Sequence, residues 1–224
     1  MKAVCLISGG LDSCVSAAIA REQGYEVFAL TVDYGQRNQR EIECAKQVAK
    51  ALGVSEHKII KADLRIFGTS ALTDDIDVPD GTDWQGIPLT YVPARNTIFL
   101  SYALAYAEAT ASDAIFIGVN TVDYSNYPDC RPEYIKAFQR IAILGTKRGV
   151  EGNPIRIKTP VIEMSKDQIV ARGVELKAPL QYTWSCYREG KKACGRCASC
   201  CLRMQGFEKA GIPDPLAYET NHED

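Results

Sequence analysis

Histidine is scarce here, with two in 224 residues. His57 falls near an expected strand and His222 in the tail, and neither has an evident partner, so chemistry run through a Cys/His pair is disfavoured. No run of about 18 apolar residues exists, which argues against a membrane-spanning helix. The first apolar stretch is broken by Gly9-Gly10 and Asp12, which argues against a secretory leader. A basic field is also missing. The net charge is −2 with both signs scattered, so stable nucleic-acid binding is not expected and a small-molecule substrate is favoured.

What the chain does have is cysteine, nine in all, five of them crowded between 186 and 201. They are not spread like the disulfide framework of a small secreted domain, so a reducing cytoplasm is expected. Cys186, Cys194, Cys197 and Cys200 form a C-x7-C-x2-C-x2-C array. Four thiolates at such spacings suit one tetrahedral Zn2+ per chain, and an all-cysteine site with no open position reads as structural. An iron–sulfur cluster is the competing occupant. Cys201 makes the register ambiguous, and Cys200 is preferred because it continues the two-residue spacing. Cys5, Cys14 and Cys44 fall in strand or helix patterns, as buried small hydrophobes do.

The chain opens with an expected strand, Ala3 to Ile7, that runs into Ser8-Gly9-Gly10-Leu11-Asp12-Ser13 and then a small-residue helix from Ser13 to about Gln23, stopped by Gly24. This is the architecture of a phosphate cradle. Gly9 and Gly10 can take positive φ and leave main-chain N–H groups bare, Ser8 and Ser13 add hydroxyls, and the helix aims its positive end at the same spot. Asp12 either caps that helix through the Cys14 or Val15 amide or holds a bridging Mg2+. No Gly-Lys-Ser/Thr follows, so the loop is not the common P-loop. It instead resembles the loop of the ATP pyrophosphatase (PP-loop) superfamily, which implies activation by adenylation.

Alternating strands and helices predict a doubly wound α/β fold with a mostly parallel sheet and ligand loops at the strands' carboxyl ends; the resemblance to the PP-loop superfamily implies its adenine nucleotide alpha hydrolase-like form. Residues 1–180 are expected to form the nucleotide domain and residues 181–224 a small zinc-binding lobe on the same core. Val27–Val32 reads as a strand ending at Asp33, where an acid can meet ribose or base, or simply make a turn. A helix is expected from about Asn38 to Leu52, then a strand at Lys58–Ile60. Arg65–Pro93 has little periodicity, is roughly twice the usual upper loop length, and reads as a lid. Arg95 and Asn96 sit near the start of an alanine-rich helix. A strand at Ala114–Ile117 precedes Asn120, Asp123, Tyr124, Tyr127, Asp129, Cys130 and Arg131, which suit a flat heterocycle read along its edge. Another strand is expected at Ile155–Lys158, and Ser165 and Gln168 form a capping box with Met164 and Ile169 as staple. Lys158 and Lys166 could touch phosphates, but each reads first as a solvated lysine and neither is counted as a site.

The loop at Ser8, the Tyr91-Val92-Pro93-Ala94-Arg95-Asn96 segment, the run from Asp123 to Glu133 and the cysteine array, in this order, resemble the 7-cyano-7-deazaguanine synthase family from Ser8 to about Arg203. The doubled Cys200-Cys201 is the one departure noticed. The resemblance implies ATP-dependent conversion of 7-carboxy-7-deazaguanine and ammonium to the nitrile, through an adenylated acid and an adenylated amide, in queuosine synthesis. It also implies a bound zinc, Mg2+ with ATP, and a homodimer. It makes Ser8, Asp12 and Ser13 the catalytic candidates, with Gly9, Gly10, Leu11 and Asp33 completing the ATP set. Arg95, Asn96, Asp123, Tyr124, Asp129 and Arg131 become the substrate set. Another adenylating ligase or tRNA-modifying enzyme of the superfamily, and a non-catalytic zinc-ribbon protein, are the alternative readings.

Overall fold

A computed structural model describes residues 1–82, 85–122 and 127–219. Five parallel strands form one sheet: β1 (Lys2–Leu6), β2 (Glu26–Asp33), β3 (Glu56–Lys61), β4 (Ala114–Phe116) and β5 (Arg156–Lys158), in the order β3-β2-β1-β4-β5. The expected α/β architecture is therefore the one observed. The chain winds outward from β1 in one direction and then the other, so β1 and β4 flank the topological switch point, where open parallel sheets bind ligands.

Strand alternation divides the core. Ala3, Cys5 and Ile7 point to the layer of α1 (Leu11–Glu22) and α2 (Arg40–Leu52), together with α6 (Lys166–Glu175) and α7 (Ala198–Lys209). Val4 and Leu6 point to the other layer, built by α3 (Arg95–Ala109) and α4 (Pro132–Leu144), with the short α5 (Lys147–Val150) after it. Residues of both sets are buried, as a sheet covered on both faces requires. Phe116 at the centre is 1% exposed, and truncating such a ring to alanine costs about 3–5 kcal/mol.

Local signals explain the boundaries. Gly53 ends α2 in the left-handed conformation at φ +63°, and the Ser165/Gln168 capping box opens α6 as expected. Met164 and Ile169, the expected staple, both pack into the α1 layer. Helix α3 begins at Arg95, where Ala94 takes φ +53° and turns the chain directly into it.

In its described residues the 65–93 segment, expected as a lid, is anchored at points and exposed between them: Ser70, Ala71, Leu72, Val78 and Val92 are buried, Ala71 and Val78 pack with Trp184 and the 186–200 cysteines, and Ile66, Phe67, Ile87 and Leu89 face solvent. Arg188 donates to the Val78 carbonyl, and the Gly81 amide donates to the Arg196 carbonyl. Apolar side chains spaced irregularly along the segment, invisible to a periodicity test, fix it under the cysteine lobe.

Candidate active site

The loop after β1 closes on itself through hydroxyls. Ser8 Oγ and the Ser8 amide both reach Ser13 Oγ, at 3.0 and 3.1 Å, and the Gly10 amide donates to Ser8 Oγ at 3.3 Å. Gly9 has φ +89°, and a Cβ there would lie 2.3 Å from the Glu41 carbonyl oxygen, so only glycine lets α2 approach this closely. Gly10 is extended, at φ −83°, and is the N-cap of α1. The expectation of positive φ at both glycines thus holds for Gly9 alone. No side chain caps α1, which leaves its first turn for an anionic ligand.

Asp12 is not that cap. Its two carboxylate oxygens each accept from Lys166 Nζ at 2.9 Å. Lys166 is 8% exposed, because its stem lies against Gly206 of α7, where a Cβ would come within 2.5 Å of Lys166 Cγ. This corrects the expectation of a solvated lysine: the capping-box turn at Ser165 throws the residue inward, and Gly206 makes room for it. Across the switch point, Gly118 after β4 abuts Asp12 and Ser13, where a Cβ would meet the Ser13 nitrogen at 2.6 Å. Asn120 ties this turn to the β5–α6 connection by donating to the Val161 and Met164 carbonyls.

A cavity of about 230 Å³ opens beside the loop. Ser8, Gly10, Leu11, Asp12, Ser13 and Lys166 form one side; Leu30, Val32 and Phe99 give an apolar wall; Arg95, Asn96, Tyr127 and Cys130 lie opposite; Trp184, Ser185, Tyr187 and Arg203 close it from the cysteine lobe. The carboxyl ends of β1, β2 and β4 meet here, as the topology requires.

The expected substrate set divides. Arg95 and Asn96 line the cavity, and Arg95 Nη1 donates to the Tyr34 hydroxyl at 3.3 Å. Asp129 does not: its carboxylate accepts the Asn96 amide at 2.9 Å and so caps α3, where the helix's free N–H groups attract a carboxylate. Arg131 is exposed, outside the cavity lining, and folds back to donate to the Pro128 carbonyl at the start of α4. Asp33 accepts the Gly35 amide in a local turn and is likewise outside the lining. Asp123 and Tyr124 lie outside the described residues, as does His222.

Two cavity groups, Arg203 and Glu41, escaped the sequence reading. Arg203 is 1% exposed; it pairs with Asp214 at 2.9 Å and donates to Thr183 Oγ1 at 2.8 Å and Ser185 Oγ at 3.3 Å. Its position three residues after Cys200, one turn along the same helix face, was the available signal. Glu41, in the first turn of α2, also lines the cavity. Cys130 accepts from Asn96 Nδ2 at 3.3 Å, and burial, reinforced by Asp129, pushes its thiol up to about 12, which agrees with the reading that it is no nucleophile. His57 serves structure. Thr31 donates its only proton to the Ile7 carbonyl at 2.6 Å, so His57 Nε2, 2.8 Å from that hydroxyl, is the donor.

The four cysteines converge. Cys186, Cys194, Cys197 and Cys200 are all buried, with their sulfurs within 4.8 Å of one another. Tetrahedral thiolates about 2.3 Å from one ion sit about 3.8 Å apart, and Cys194 and Cys200 are separated by 3.9 Å. The Cys194 and Cys197 amides donate to neighbouring sulfurs, orienting them. The set can therefore hold a metal ion. Cys201 turns away and donates to the Arg196 carbonyl.

Residues 2–211 match the family described as queuosine biosynthesis protein QueC. The chain belongs to the QueC family. It is 57% identical over 218 residues to the 7-cyano-7-deazaguanine synthase of Acetivibrio thermocellus, covering 97% of each chain. It is 56% identical over 220 residues to the enzyme of that name in Saccharophagus degradans, again with 97% of each covered. The fold extends further than the family. A predicted tRNA methyltransferase subunit from Methanocaldococcus jannaschii matches with a TM-score of 0.50 at 20% identity, over 100% of this chain and 94% of that one. A 4-thiouridine synthetase solved with RNA and bound ATP gives a TM-score of 0.50 at 18% identity, over 94% of this chain and 53% of that one.

Proposed function

We propose that this chain is an ATP-dependent carbon–nitrogen ligase that converts 7-carboxy-7-deazaguanine and ammonia to 7-cyano-7-deazaguanine. The observation that carries the reading is a phosphate-type loop facing, across one cavity, Trp184, Ser185 and Tyr187 beside a four-cysteine cluster, in a QueC chain. Ser8 to Ser13 and the first turn of α1 hold the β- and γ-phosphates of ATP, and Lys166 supplies the positive charge that the loop itself lacks.

The substrate carboxylate attacks the α-phosphate, the bridge to the β-phosphate breaks, and pyrophosphate leaves from the loop. Ammonia then adds to the acyl carbon, the carbon–oxygen bond to AMP breaks, and the amide forms after proton loss. A second ATP adenylates the amide oxygen; loss of the nitrogen-bound protons and of AMP gives the nitrile. No protein nucleophile is required, which accords with a buried Cys130 thiol and a structural His57. Asp12, beside the proposed phosphate loop, would hold Mg2+, which when bound would supply further charge neutralisation. Arg95 and Asn96 bind the deazapurine. Asp123 and Tyr124, outside the described residues, stay in the proposed substrate set.

Zinc fits the cysteine cluster best, since a closed set of four thiolates suits a structural tetrahedral ion. It would knit residues 181–224, proposed as a lobe, onto the domain at 1–180, whose core Phe207 joins. A reducing, cytoplasmic setting would keep these thiols free. Among the described residues no helix is long and apolar enough to cross a membrane. The homodimer has a candidate surface in the exposed Ile141, Leu144 and Val150, and sedimentation of a Leu144→Glu variant tests it.

The adenylation route has a direct test. With 18O in both carboxylate oxygens of the substrate, the label should leave as one oxygen in each AMP, because the nitrile keeps none. Label released into water or inorganic phosphate would contradict the route.

A further inference from the structure

Glu41 is the carboxylate on the cavity wall that the loop chemistry leaves unused. Among the described residues the cavity is lined by two acidic side chains, Asp12 and Glu41. Asp12 is committed to Lys166, while among the described residues no hydrogen bond or ion pair engages the Glu41 carboxylate. Its backbone is fixed, since the Gly9 loop presses on the Glu41 carbonyl. Asp129, the acid expected to read a heterocycle edge, is spent on α3.

The proposed substrate presents a specific demand. A deazaguanine ring carries two parallel donors on one edge, the ring N–H and the exocyclic 2-amino group, and a carboxylate answers both with its two oxygens. We propose that Glu41 is the specificity-determining residue that accepts from these two donors, so that the cavity selects a 2-amino deazapurine acid. The inference deepens the functional reading above and rests on it.

The charged surroundings are consistent with an ionised Glu41 in the complex. Arg95 of α3 lies close enough to favour the anion, and Tyr34 after β2 faces both groups. Arg40, on the same helix, is held over the Trp184 ring and by the Lys191 carbonyl; Arg203 is held by Asp214; Cys44 is the nearby thiol. Burial lifts the Glu41 carboxyl to about 7 against the pull of Arg95, and two substrate donors would draw it back down. Affinity for the substrate should therefore rise as pH increases through 7.

The test compares 7-carboxy-7-deazaguanine with its analogue bearing hydrogen in place of the 2-amino group, in wild type, Glu41→Gln and Glu41→Asp, by calorimetric binding and by kcat/KM. A hydrogen bond to a charged group implies that wild type prefers the amino substrate by about 10- to 100-fold. Glu41→Gln, which offers one acceptor and an opposing N–H2, should erase that preference, raise KM for the amino substrate and flatten its pH dependence, with KM for ammonium unchanged. Glu41→Asp, keeping both acceptors, should retain the preference at weaker affinity. Equal discrimination in wild type and Glu41→Gln, or an unchanged substrate KM, would overturn the assignment, the latter pointing to a neutral acid that reads adenine. Wild-type turnover is scored separately. If wild type binds and converts neither compound, the functional reading itself fails and the role of Glu41 falls with it.

Discussion

Lys166 Nζ stands 2.9 Å from both carboxylate oxygens of Asp12, joining the first turn of α6 to the first turn of α1, 154 residues apart in the chain. The pair places a buried cation beside a phosphate loop that carries no lysine of its own. An ion pair of this kind is weak evidence for stability, since desolvation offsets much of the attraction. Its consequence is functional: a ligand with more negative charge than one carboxylate can take the lysine over.

Replacing Lys166 by methionine keeps the stem that packs on Gly206 and removes the charge. Removal of a preorganised charge at a reacting phosphate costs about 100- to 1,000-fold in kcat. Single-turnover formation of AMP by the folded variant should fall by that order; a normal rate would dismiss the role of Lys166 at the phosphates.

Gly9→Ala forces a Cβ to within 2.3 Å of the Glu41 carbonyl and a side chain into a left-handed backbone. The conformational part alone costs about 1–2 kcal/mol. Denaturant unfolding should show a larger loss than this, together with weaker ATP binding. Gly10→Ala meets only ordinary contacts, the nearest Ser8 Oγ at 3.4 Å, so its stability should stay near wild type.

The cysteine register predicts opposite results for neighbours. Cys200→Ser should lose the bound metal and unfold at lower temperature, whereas Cys201→Ser should keep one metal per chain, because the Cys201 thiol turns to the Arg196 carbonyl. Metal analysis of the two purified variants decides it.

Asp214→Asn leaves the Arg203 guanidinium buried without its charge partner. Breaking such a pair costs about 3–5 kcal/mol, so equilibrium unfolding should be strongly destabilised. A loss below about 1 kcal/mol would show that Thr183 and Ser185 suffice to hold the arginine.

His57 gives the pH dependence its sign. Burial first, and Lys46 second, lower its pKa in the folded protein below the free value, so the unfolded chain binds the proton more readily. Its contribution to stability is present above the unfolded pKa, about 6.5, and is lost as pH falls below it. His57→Gln, which keeps a donor to Thr31, should show a shallower loss of stability between about pH 7 and 5.

Much of this was readable in the sequence where local spacing carries the meaning. The Ser8–Ser13 loop and the cysteine array declare themselves because glycine conformation and thiolate spacing are properties of consecutive residues. The α/β order was equally visible, since buried parallel strands are short apolar runs between helices. The buried places of Lys166 and Glu41 were not, because each depends on a partner far along the chain: Gly206 and Asp12, and the Gly9 loop; that of Arg203 was not, because its partner Asp214 follows only after α7 has ended. Asp33 and Asp129 turn to the backbone for a related reason. A carboxylate beside a turn or helix start satisfies amides before it serves a ligand, as the Gly35 and Asn96 bonds show.

The central claim is tested most directly by mass spectrometry of products after the purified protein meets Mg-ATP, ammonium and 7-carboxy-7-deazaguanine, with each component omitted in turn. The account predicts the nitrile only when all are present, accompanied by AMP. Folded, metal-loaded protein that makes neither nitrile nor amide, or a nitrile formed without ATP, would contradict it.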